Sequence, residues 1–103
     1  MYTLQTAISI VHAYVKDCKA CGIQISRAFI CHFDFIVGGS YGIEILLVSA
    51  RFGNDIFENL KLLKSVNEKY SMVEILPYSE STFSNGDAFI DGVLKWGLEV
   101  KVC

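Results

Sequence analysis

Met72-Val73-Glu74-Ile75-Leu76-Pro77-Tyr78, then Ser84-Asn85-Gly86-Asp87, then Ala88 through Trp96 and Gly97-Leu98-Glu99-Val100, is the stretch that decides the architecture. The run from Met72 to Leu76 is β-branched and apolar with one acid, a short strand that Pro77 is expected to close. Ser79 to Phe83 has room for one helical turn. Ser84-Asn85-Gly86 is a turn, and Asp87 can cap a third helix running through Trp96. Ala88, Phe89, Val93, Leu94 and Trp96 would supply its apolar side and Gly97 its stop. Leu98, Val100 and Val102 then alternate as a last strand.

Outward from there, Asp55 can cap a second helix whose buried face would be Ile56, Leu60, Leu63 and Val66, with Phe57 beside it. Ile43 to Val48 is an apolar run of the kind buried on both faces of a sheet. Ile25 to Phe35 changes to strand alternation, and Gly38-Gly39-Ser40 between the two strands reads as a hairpin-type loop. At the start of the chain Thr3 can cap a helix of about five turns. Its stripe is Leu4, Ala7, Ile8, Val11, Tyr14, Val15 and Cys18, with Gly22 as its stop and His12 at the boundary. The expected order is α-β-β-α-β-α-β, an α+β domain in which one mixed β-sheet is covered by helices, a single unit over residues 1–103.

Composition narrows the function classes. The chain has 103 residues, a net charge of −2 and 52% hydrophobic residues, with a mean hydropathy of +0.41. That is more apolar material than a small core readily hides, so an oligomer or partner interface is expected. The charge gives no field to gather nucleic acid. The longest apolar stretch, Ala28 to Val37, is interrupted by His32 and Asp34 and is too short to span a membrane. No leader pattern opens the chain, so a cytoplasmic location is expected. Four cysteines stand at 18, 21, 31 and 103. Cys18-Lys19-Ala20-Cys21 falls at the end of a helical pattern, whereas redox pairs open a helix. Cys18, Cys21, Cys31 and His32 make a zinc set on paper only, because the second pair lacks a knuckle-like spacing. Ordinary thiols are the expectation.

The ordered set of elements, and above all the acid-bearing strand ending in proline and an aromatic, then a helix ending Lys95-Trp96-Gly97 and a last strand, resembles the minimal nucleotidyltransferase domain of the DNA polymerase β superfamily. The likeness runs from about Leu4 to Val102. It implies a nucleotidyltransferase-like sheet. It also implies a Gly-Ser turn that approaches a triphosphate, an Asp-x-Asp pair on the second strand, and a third acid on the next strand, together gathering magnesium.

Placed on this chain without gaps, Asp-x-Asp falls on Gly42-Ile43-Glu44, Gly-Ser on Ile30-Cys31, and the third acid on Glu74. Glu44 and Glu74 are therefore vestigial metal-ligand candidates. The first acid is a glycine, and the phosphate-holding pair is a β-branched residue and a thiol. Gly39-Ser40 does not rescue the pattern, since the family spacing counted from Gly39 arrives at Arg51. Asp34 could substitute for an acid only if its loop folds back.

The resemblance thus implies a catalytically degenerate member, with no cofactor expected, acting as an antitoxin-like or scaffold module. Its partner would be a second copy or an all-helical HEPN-type protein. The alternative is a divergent transferase that moves a nucleoside monophosphate from an NTP to a protein or small-molecule hydroxyl, using Mg2+ on Glu44 and Glu74. A ligand pocket lined by Phe33, Phe35 and Tyr41 is weaker, because core packing accounts for such aromatics.

Overall fold

The computed structural model describes residues 3–35 and 41–102; the side chains of residues 33–35 and 41 lie outside that description, as do the 38–40 loop and the suggested Phe33, Phe35 and Tyr41 pocket. The chain is α+β. In order it forms α1 (Leu4–Ala20), β1 (Arg27–Phe35), β2 (Tyr41–Ser49), α2 (Ile56–Leu62), α3 (Lys64–Asn67), β3 (Val73–Ser79), α4 (Glu80–Asn85), α5 (Ala88–Trp96) and β4 (Leu98–Val100). The second expected helix is broken at Leu63 into α2 and α3, and the single turn expected after Pro77 is the six-residue α4.

The four strands form one mixed sheet in the order β3-β2-β1-β4. β1 pairs antiparallel with β2 and β4, and β2 pairs parallel with β3. β2 is central, which explains its composition: Ile43, Ile45, Leu46, Leu47 and Val48 are all buried, facing alternately the two layers of helix. Ile43, Ile45 and Leu47 join Ala28, Ile30, Ile75 and Val100 against the α1 stripe of Ala7, Val11, Tyr14 and Cys18. Leu46 and Val48 join Phe29 against Phe83, Ile90 and Val93 from α4 and α5.

Local chemistry sets the boundaries. Thr3, Asp55, Ser79 and Asp87 cap α1, α2, α4 and α5, each side-chain oxygen accepting a first-turn N–H. Gly22, at φ +85°, takes the left-handed turn after α1 that a side chain would resist. Gly97 is needed for a different reason. A Cβ there would stand 2.7 Å from the Val93 carbonyl and 3.3 Å from that of Ile30, so its absence lets the end of α5 close onto β1.

Pro77 does not end β3. It sits within the ladder opposite Leu47, and the strand continues through Ser79. β3 is an edge strand, where a missing N–H can be tolerated. The buried side chain of Asn59 donates to the Pro77 carbonyl (3.1 Å) and the Gly53 carbonyl (2.9 Å), and its Oδ1 accepts from the Gly53 N–H (2.8 Å). Asn59 is thus the deepest residue of α2, while Ile56 and Leu60 are half-buried and Phe57 is 73% exposed. Of the expected face, Leu63 and Val66 are buried in the core, at the break and in α3, while within α2 the deepest place belongs to Asn59, whose amide is satisfied by backbone partners on two sides. α3 and the turn after it are tied to α1 by two further bonds, from the Tyr14 hydroxyl to Asn67 Oδ1 and from the Tyr70 hydroxyl to Asp17 (2.7 Å).

Candidate functional site

The parallel β2–β3 register sets Glu44 directly opposite Glu74. Partners in a parallel ladder present their side chains to the same face, here the side covered by α4 and α5, because Leu46 and Leu76 follow at the next alternate positions. Glu44 is half-buried and Glu74 exposed. The two acids inferred from sequence are therefore brought side by side. Gly42 lies two residues before Glu44 on the same face and offers no donor; a Cβ built there meets no atom within 4 Å.

The positions aligned with Gly-Ser behave differently from a phosphate-holding turn. Ile30 and Cys31 lie inside β1, which runs on to Phe35. Ile30 pairs with Ile45 and His32 with Glu44, so Cys31 is the extra residue of a β-bulge. Ile30 is buried against the α1 layer, and Cys31 turns toward the opposite face. There it lines a cleft of about 280 Å³ with Glu44, Phe89, Gly92 and Trp96. Burial, and then the nearby Glu44 carboxylate, push the Cys31 thiol up to about 11, so it is a neutral wall of the cleft at neutral pH.

Two carboxylates do not fit the magnesium cluster that the resemblance implies. Among the described residues no three His, Cys, Asp or Glu side chains gather as a metal site. The paper zinc set is dispersed: Cys18 is buried under α1, Cys21 caps that helix in solvent, and Cys31 packs on the other side of the sheet. Asp34 pairs with Gly42 through the backbone, and its side chain lies outside the described residues. The buried surroundings of Cys18 push its thiol up to about 12, which is the environment of an inert core cysteine.

The cleft's outer wall is the feature that sequence reasoning missed. Phe89, Leu94 and Trp96 were expected to pack on the sheet. Val93 does pack there as expected, joined by Ile90, whereas Phe89 (42%), Leu94 (52%) and Trp96 (80%) are exposed, with Leu98 (39%) just beyond. The signal was present. At about 100° per residue these side chains cover an arc of roughly 160°, wider than one helix-on-sheet contact buries. Lys95 Nζ lies 5.2 Å from the Trp96 ring centre, a cation resting on an otherwise solvent-facing indole.

No helix of the described residues is long and apolar enough to cross a membrane. Compared with protein-family models, curated proteins and solved structures, the chain matches none.

Proposed function

We propose that this chain is a nucleotidyltransferase-fold interaction module, degenerate in its catalytic site, that works in the cytoplasm through protein contacts in an antitoxin-like or scaffold role. The observation that carries the reading is a juxtaposition. The exposed apolar wall of Phe89 and Trp96 stands beside Glu44, on the face where the family's first acid is replaced by Gly42. An exposed indole is the kind of side chain that anchors interface centres. Its occupant in this reading is a second copy of the chain or an all-helical HEPN-type partner.

Sedimentation of the isolated protein, and co-expression with such a helical partner, test the reading. A dimer or a stable complex that Trp96→Ala dissociates supports it. A monomer that captures no helical partner overturns it.

The register of Glu44 with Glu74 favours a second reading, a divergent Mg2+-dependent nucleotidyltransferase. A nucleoside triphosphate with magnesium at a hundred times its dissociation constant would then stabilise the fold by about 2.7 kcal/mol. Glu44→Gln would remove the gain. Absence of any nucleotide-dependent stabilisation, with partner binding intact, decides for the first reading.

A further inference from the structure

On the sheet face away from Glu44 and Glu74, α1 and the residues following β4 enclose a groove of about 520 Å³. Its floor is Val15, Ile25 and Val102 and its rim is Lys16, Lys19 and Lys101. His12 sets the width: its Nε2 is 3.0 Å from the Lys101 carbonyl, bonding the segment after β4 to α1. Among the described residues no carboxylate lines the groove. The acids next to these lysines in sequence are engaged elsewhere, Asp17 accepting from the Tyr70 hydroxyl at 2.7 Å and Glu99 pairing with Arg27 at 2.8 Å. The three ammonium groups rim one depression, and an anion seated there is attracted by each of them.

We infer that this groove binds a small phosphate monoester whose organic part lies on the Val15, Ile25 and Val102 floor. Compact ammonium groups on flexible stems suit the rounded charge of a phosphate, whereas planar carboxylate recognition calls for the arginine fork. The monoester carries close to two negative charges at neutral pH. The volume is that of a small-molecule site, and an apolar floor under a polar rim asks for an amphiphilic ligand. The site is independent of the protein-contact reading above, because it lies on the other side of the sheet.

The test is an amide-resolved NMR titration of the whole chain with phenyl phosphate, inorganic phosphate and phenol. Phenyl phosphate should give saturable shifts at Val15, Lys16, Lys19, Gln24, Lys101 and Val102. Inorganic phosphate should move the same amides more weakly, and phenol should not saturate. Lys16→Gln combined with Lys101→Gln should weaken phenyl phosphate at least about tenfold, with the remaining amides unmoved, while Lys61→Gln on α2 changes nothing. The inference is overturned by the absence of saturation up to about 10 mM, by shifts spread over all lysine-bearing surfaces, or by equal binding to the double variant. A duplex oligonucleotide that binds the same amides more tightly than phenyl phosphate would also overturn it, in favour of a nucleic-acid surface.

Discussion

Glu44 and Glu74 are register partners on adjacent parallel strands, and Gly42, two residues upstream on the same face, leaves the third corner of their triangle without a side chain. The β2–β3 pairing thus sets two acids side by side, with no side chain at the position before them on that face. On the neighbouring strand a β-bulge aims Cys31 at the same cleft, and Phe89 and Trp96 form the opposite wall. This corner combines a pair of carboxylates with an exposed apolar edge.

Gly42→Asp should complete the triangle. Among the described residues nothing stands within 4 Å of the new Cβ, which leaves room for the side chain. Three like charges on neighbouring strand positions destabilise by about 0.5–1 kcal/mol in the absence of a cation. Magnesium should reverse that loss in Gly42→Asp and leave the parent chain unmoved. Melting temperature against magnesium concentration measures it, and a variant indifferent to magnesium would show that the corner is not pre-shaped for metal.

Asn59 holds the loop before α2 to the edge strand through three hydrogen bonds, all at buried or part-buried atoms. Asn59→Ala removes three hydrogen bonds and leaves the buried Pro77 carbonyl without this donor, while exposed Gly53 can turn to water, for a loss of about 1–3 kcal/mol. Asn59→Leu fills the space but restores no bond, so it should remain close to the alanine variant. Urea denaturation should report a lower midpoint at unchanged slope for both. A leucine variant as stable as the parent would show that packing alone holds this joint.

Much of the fold could be read from sequence because its signals are local. The caps of α1, α2, α4 and α5 are Thr, Asp or Ser side chains reaching their own first turns, and the composition of β2 records burial on both sides. What escaped depends on distant partners. Asn59 reads as an indifferent helical residue until Gly53 and Pro77 are placed beside it. Pro77 reads as a strand end until β3 is known to be an edge. Glu44 and Glu74 could be singled out as acids on two strands, but the bulge at Cys31 depends on the β1–β2 register and the close seating of α5 on β1 depends on the contacts at Gly97, neither of which is local in sequence.

Core ionisation gives the chain an alkaline weakness. Burial pushes the Cys18 thiol from its ordinary 9.0 up to about 12, and burial likewise raises the Tyr14 hydroxyl. The folded state therefore holds protons that the unfolded chain releases first. The stability these groups confer is whole below about pH 9 and is lost progressively as pH climbs toward 12. Cys18→Ala should flatten this limb of the stability profile while costing about 1 kcal/mol at neutral pH from lost packing. The same burial governs reactivity. In the native state an alkylating reagent should label exposed Cys21 first and Cys18 only on unfolding, as peptide mass spectrometry would resolve.

Trp96 separates stability from recognition most cleanly. At 80% exposure its indole contributes little to the core, which Ile90 and Val93 already seal on that helix. Trp96→Ala should therefore shift folding stability by no more than about 0.5 kcal/mol. If α5 is the centre of an interface, the same change should weaken association by about 2 kcal/mol or more, roughly thirtyfold. Ile90→Ala should do the reverse, reducing stability by about 2–5 kcal/mol through a cavity under the helix. Measuring both variants by urea denaturation and by sedimentation distinguishes a recognition surface from a merely exposed one. A Trp96→Ala chain that associates as the parent does would move the contact surface away from α5.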